Sequence, residues 1–204
     1  MALAIVLPPI PGIAAATTPT EQLRGDINRV VQILDDPDLR RPARAAERRG
    51  MIRKAAGHIF DYTEMTKRSV GPHWHARTPA EREEVVRLFG EVLERSYVAK
   101  LELYSGERIN FTAEQIADDQ AYVHTRIVTR STAEIPVEYR MLRRADRWLV
   151  YDVTIEGVSL VANYRTQFTK ILQTGSFDEL IKRLRAKIDE RSQEVTRIQP
   201  ASER

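Results

Sequence analysis

The chain has 204 residues, 42% of them hydrophobic and 30% charged, with a formal net charge of +3 and no cysteine. That length suits one domain with a sizeable core, and two independent domains are not expected. Disulfides, thiolate metal sites and cysteine nucleophiles are excluded, and no stretch approaches the roughly 20 apolar residues of a membrane helix.

Met1 to Leu7 is apolar, Pro8, Pro9, Pro11 and Gly12 break it, and Ala14-Ala15-Ala16 follows. Residues 1–16 read as the remnant of a secretory signal, although the charged leader of a complete signal is missing, since the first basic residue is Arg24. Thr18-Pro19-Thr20-Glu21 opens a helix with Leu23, Ile27, Val30, Val31 and Leu34 at helical spacing, ended by Asp35-Asp36-Pro37. A second helix is predicted from Pro42 to Ile59. Between Leu39 and Lys54 lie seven basic residues, Arg40, Arg41, Arg44, Arg48, Arg49, Arg53 and Lys54, against one acid, Glu47. Such a patch meets nucleic-acid phosphates, anionic head groups or an acidic partner, or is a solvated helix face, and the sequence leaves these open.

Asp61 caps a short helix to Val70, and Gly71-Pro72-His73-Trp74 breaks the chain. Thr78-Pro79-Ala80-Glu81 is a strong helix start, with Thr at the cap, Pro at the first helical position and Glu completing a capping box. The long helix that follows carries Val85, Leu88, Phe89, Val92, Tyr97, Leu101 and Tyr104 before Ser105-Gly106. From Arg108 the periodicity turns alternating, predicting four strands over Ile109–Ile116, Ala121–Arg130, Glu134–Arg143 and Arg147–Glu156, joined by short turns as an antiparallel meander. Helices from Ser159 to Thr174 and from Phe177 to Ser192 follow, the latter with Ser176 and Glu179 as a second capping box. The fold class is α+β, with N-terminal helices, a curved four-stranded antiparallel sheet and C-terminal helices on one face of it. Residues 17–194 form the single domain and 195–204 a loose polar tail.

Chemistry-bearing constellations are sparse. Asp152 and His124 lie in strands as a conceivable acid/base pair, with structural hydrogen bonding as the plainer reading. His58, His73 and His75 lack metal-ligand spacing, so no metal site is expected. No glycine-rich phosphate loop or nucleophile elbow is present, and the basic stretch holds no aromatic stacking residue, so no nucleic-acid partner is expected. What recurs is the aromatic side chain with a polar tip: Tyr97, Tyr104, Tyr122, Tyr139, Trp148, Tyr151, Tyr164 and Phe168 among them. The last strand offers large apolar residues on both faces, so either both faces are covered or one lines a cavity.

Five segments in order carry a family resemblance: Phe60 to Thr66, Gly71-Pro72-His73-Trp74, Thr78 to Arg82 with Phe89, Ile135-Pro136-Val137-Glu138-Tyr139, and Trp148 to Phe168. Together they resemble the MlaC-type, toluene-tolerance family of periplasmic phospholipid-binding components of an ABC transport system. The resemblance spans Pro19 to Arg191. It implies a periplasmic carrier, not an enzyme, that shuttles phospholipid between an inner-membrane ABC transporter complex and an outer-membrane lipoprotein complex, maintaining outer-membrane lipid asymmetry. It further implies bound phospholipid but no cofactor, and a diffusing carrier favours a monomer. Two acyl chains of about 30 methylenes represent roughly 24 kcal/mol of transfer free energy, so such a carrier must bury nearly all of them. Under this resemblance Tyr97, Leu101, Tyr104, Val137, Tyr139, Tyr151, Val153, Val158, Val161, Tyr164 and Phe168 are the acyl-lining candidates, chosen as large side chains on the sheet and its helices. Which face each strand residue occupies is open by one step of register. Arg143, Arg144, Arg147 and Arg165 are rim or partner candidates. The alternatives are a small-molecule enzyme or a protein-interaction module built on the same α+β cavity.

Overall fold

The computed structural model describes residues 17–198. The signal remnant expected at 1–16 and the end of the polar tail lie outside the described residues. Helices α1 (Pro19–Asp35), α2 (Ala45–Ile59), α3 (Tyr62–Val70) and α4 (Pro79–Leu101) precede strands β1 (Arg108–Ala117), β2 (Gln120–Val128), β3 (Glu134–Arg144), β4 (Arg147–Ile155) and β5 (Val158–Ser159), and α5 (Leu160–Thr174) and α6 (Phe177–Ile198) close the order. Short 3-10 turns at Pro42–Arg44 and Gly71–Trp74 lead into α2 and follow α3.

The helix starts follow from their caps. Thr18 Oγ1 accepts from the Glu21 N–H at 3.2 Å while the Glu21 carboxylate accepts from the Thr18 N–H at 3.0 Å. Thr78 and Glu81 repeat the arrangement at 3.3 and 2.7 Å. Ser176 caps α6 through the Glu179 N–H at 3.2 Å, but the Glu179 carboxylate takes Arg183 at 2.8 Å, so the box expected there is half made. α6 also runs past Ser192 to Ile198, because no glycine or proline interrupts residues 192–198.

The sheet is an antiparallel meander in the order β1-β2-β3-β4-β5. The fifth strand, absent from the sequence reading, pairs Ile155 with Val158 and Thr154 with Ser159 across a two-residue turn in which Glu156 (φ 50°) and Gly157 (φ 81°) are both left-handed. That is the backbone a tight hairpin requires, and glycine supplies half of it without steric cost. Two register shifts interrupt the ladder, at Thr112 of β1 and at Tyr151 of β4.

The β4 bulge decides where side chains go. Val150 pairs with Met141 and Asp152 with Arg140, leaving Tyr151 as the extra residue. Trp148, Val150 and Val153 therefore join the apolar cluster under α1 and α2, whereas Tyr151 joins a second cluster formed by α3, α4, α5 and α6. Helices cover both faces of β4 rather than one face of the sheet, which is why this strand is apolar on both sides. Among the described residues no helix is long and apolar enough to cross a membrane.

Candidate functional site

The inner face of the sheet, the one beneath α1 and α2, changes along its length. At the end of the β1–β2 and β3–β4 turns it is closed: Ala121, Val123, Met141, Trp148 and Val150 are buried against Leu23 of α1 and Ile52 of α2. Polar anchors fix α1 there. The Gln22 amide brackets the Trp148 backbone, accepting from its N–H at 2.9 Å and donating to its carbonyl, and the Thr20 N–H at the start of α1 donates to Glu114 of β1 at 2.6 Å. A carboxylate facing the first turn of a helix is favourable for the same reason that anions bind there.

Toward the β2–β3 and β4–β5 turns coverage thins. Ile109, Phe111, Ile127, Ile135, Tyr139 and Ile155 are only partly buried, although they continue the same face. The pairs Ile109 with Ile127 and Ile127 with Ile135 tile it across three strands, and Val137 with Ile155 extends it to β4. Ile27 of α1, Leu160 of α5 and Tyr104 beyond the end of α4 border it. A contiguous apolar surface left part-open is the ordinary mark of a binding site, since monomers seldom leave such patches bare.

Polar groups in this wall are internally satisfied. The Thr125 hydroxyl, buried between β1 and β3, donates to the Val137 carbonyl at 3.3 Å. Burial pushes the Tyr139 phenol upward, and its hydrogen bond with Thr125 opposes the shift. Burial likewise raises Tyr104, helped by the nearby Asp35 carboxylate. At the border, the Arg24 guanidinium stacks 4.2 Å over Phe111. Arg130 donates to the Ser105 carbonyl, tying the β2–β3 turn to the α4–β1 turn.

The eleven lining candidates separate accordingly. Tyr104, Val137, Tyr139 and Val153 belong to the inner-face cluster. Tyr97, Tyr151, Val161, Tyr164 and Phe168 belong to the helical cluster on the other side of β4. There Phe89 meets Tyr164 and Phe168 edge-on, at centroid distances of 4.8 and 5.1 Å. Leu101 and Val158 are exposed, Val158 to 61%. Ile27, Phe111, Ile127, Ile135 and Ile155 are not among the lining candidates; they lie on α1, β1, β2, β3 and β4 in turn, at helical or alternating spacing, but large aromatic side chains drew the choice elsewhere.

The catalytic candidates take structural roles. Asp152 accepts from the Ser159 hydroxyl at 2.6 Å and from the Val161 N–H at 3.0 Å, so it holds the first turn of α5. His124 Nδ1 lies 3.7 Å from Glu138, not beside Asp152. Among the described residues no group of three or more His, Asp or Glu is placed to hold a metal ion.

The rim arginines are engaged at the closed end. Arg144 joins Asp61 at 2.8 Å and Glu64 at 3.3 Å, Arg147 joins Asp26 at 3.4 Å and the His58 carbonyl at 3.2 Å, and Arg143 lies over Trp148 at 5.7 Å. Arg165 packs over Gly71. Most of the basic stretch is neutralised as well: Arg40 pairs with Asp35, Arg41 with Asp38, Arg44 with Glu47, and Arg48 and Arg49 with Glu102.

A phospholipid-binding protein from Ralstonia solanacearum, solved in complex with a phospholipid, has this fold: the TM-score is 0.74 at 21% identity, covering 88% of this chain and 99% of that one. The intermembrane phospholipid transport system binding protein MlaC of Haemophilus influenzae is 24% identical over 120 residues, 56% of each chain, so this chain spans about half the length of that curated relative. The family model described as MlaC protein matches residues 25–186. The chain belongs to the MlaC protein family.

Proposed function

We propose that this protein binds phospholipid, with acyl chains lying on the part-open inner face of the sheet and the head group outside. The observation that carries the reading is the continuous, incompletely covered apolar surface of Phe111, Ile127, Ile135, Tyr139 and Ile155, bordered by Tyr104 and continuous with buried Val137 and Val153. Its few polar groups already have partners, so the surface rewards hydrocarbon and asks for no specific polar contact. The Ralstonia phospholipid complex and the Haemophilus transport protein support it.

On this reading the protein is a carrier rather than an enzyme. It resides in the periplasm and works as a monomer. It passes phospholipid between an inner-membrane ABC transporter complex and an outer-membrane lipoprotein complex, sustaining outer-membrane asymmetry and toluene tolerance. The aromatic cluster of Phe89, Tyr164 and Phe168 serves as the rigid back of the molecule, and Val158 and Leu101 stand outside the acyl site.

Native mass spectrometry of the purified protein tests the reading: a co-purifying mass equal to one phospholipid is expected, together with uptake of labelled lipid from vesicles. Recovery of the apo mass alone, with no uptake, overturns it.

A further inference from the structure

Most cations around the part-open inner face are already engaged or point elsewhere. Near Tyr104, Arg40 pairs with Asp35 at 2.7 Å. Arg130 donates to the Ser105 carbonyl at 2.9 Å, and Arg29, further along α1, faces Asp26 at 3.7 Å. Arg108 and Arg126 alternate with Ile109 and Ile127, so both side chains leave the sheet on its other side, where Arg126 pairs with Glu134 at 2.6 Å.

Arg24 differs from all of these. It is exposed, its guanidinium carbon lies 4.2 Å from the centroid of the Phe111 ring, and it has no ion pair or hydrogen bond among the described residues. The acids one turn back are committed: Glu21 accepts from the Thr18 N–H at 3.0 Å and Glu114 from the Thr20 N–H at 2.6 Å. Resting on a ring engages the charge of a guanidinium but not its N–H donors, which form a planar fork matched to a phosphate.

Nor is the contact needed to fix α1 in place. Leu23 is 1% exposed, the Gln22 amide brackets the Trp148 backbone, and the Thr20 N–H reaches Glu114, all within one turn of Arg24. Phe111 is partly buried on the same face as Ile109 and Ile127, on the outermost strand of the sheet. Arg24 therefore stands where the hydrocarbon surface meets water.

We infer that Arg24 holds the phosphodiester of the bound lipid and so selects phospholipid over neutral diacyl lipid. The inference rests on the phospholipid reading above and adds a specificity-determining residue to it. In a glycerophospholipid the phosphate and the acyl chains share one glycerol, so a cation bordering the acyl surface meets the phosphate before any distal part of the head group. Charge-assisted N–H donors from Arg24 would then bind the phosphate oxygens while Phe111 keeps the guanidinium oriented. The distal alcohol stays in water, which makes Arg24 a reader of the phosphate and not of the head-group type.

The test uses the full chain and vesicles carrying two lipids with the same acyl chains and different fluorescent labels, a phosphatidylglycerol and a diacylglycerol. The ratio of the two taken up is read from one sample, so a partly unfolded variant still reports it. The unaltered protein is expected to favour the phospholipid, and Arg24→Gln to lower that ratio about fivefold or more by losing phospholipid alone. Arg126→Gln, which removes an equal charge from the other side of the sheet, is expected to leave the ratio as it was. A ratio unchanged in Arg24→Gln overturns the inference, because both lipids then fall together and Arg24 only steadies α1. An equal drop in Arg126→Gln also overturns it, since net charge and not a local contact is then the cause. No uptake of either lipid by the unaltered protein overturns the phospholipid reading itself, and this inference with it.

Discussion

Two apolar regions flank β4, and they differ in how completely they are closed. On one side Phe89, Tyr164 and Phe168 interlock edge-to-face within four helices, and each is buried. On the other, the inner face of the sheet is sealed near Trp148 and Met141 and loosens toward Ile127 and Ile135. The two sides are built from similar side chains. What separates the closed region from the part-open one is thus whether neighbouring elements finish covering it, not how apolar or aromatic it is.

The largest effect that would sharpen this contrast is Phe89→Ala, which should cost about 3–5 kcal/mol by opening a void among packed rings. Urea denaturation would measure it, and below the transition lipid occupancy should stay normal. A loss of lipid in the still-folded protein would mean the helical cluster is part of the ligand site. Asp152→Ala comes next, at about 1–3 kcal/mol, since the Ser159 hydroxyl and Val161 N–H at the start of α5 lose their acceptor. The decisive variant is Ile135→Asp on the part-open face. It should change stability by less than about 1 kcal/mol yet abolish most lipid uptake from labelled vesicles. Val153→Asp cannot make that distinction, because Val153 is buried and an unpaired carboxylate there would unfold the protein first.

The smallest effect concerns Glu94, in a cleft it shares with Tyr62, Arg53 and Arg95. Burial raises its carboxyl above the ordinary 4.5, outweighing the opposing pull of Arg53 and the Tyr62 hydrogen bond. A raised acid means the fold prefers the protonated form. The charged form is penalised above the shifted value, and the penalty fades as pH falls through it toward 4.5. Glu94→Gln should therefore raise the urea midpoint slightly at pH 7 to 8, with the gain shrinking in acid. A gain independent of pH would show that burial is not the cause.

Much of this architecture is legible in local sequence. Thr18, Asp61 and Thr78 announce their helices through side chains that satisfy backbone donors three residues on, and the meander follows from alternation between short turns. The lining set was less legible, for physical reasons. A bulge such as that at Tyr151 leaves no mark in composition, yet it sends Tyr151 and Val153 to different clusters. Aromatic size favoured Tyr164 and Phe168, which pack against Phe89 across a separation of about 75 residues that no local pattern records. The basic stretch could be read as an anion-binding or a solvated face, because Glu102, which neutralises Arg48 and Arg49, lies more than 50 residues away.

Read in steps of two, β4 is a message with one frame slip. Up to Val150 the even-numbered residues point toward α1 and α2; after Tyr151 the odd-numbered ones do. Without the slip, Asp152 and Thr154 would be turned onto the hydrocarbon surface and Val153 and Ile155 away from it. One surplus residue thus lets a single strand address two readers, so deleting Tyr151 should be better tolerated than inserting a residue beside it.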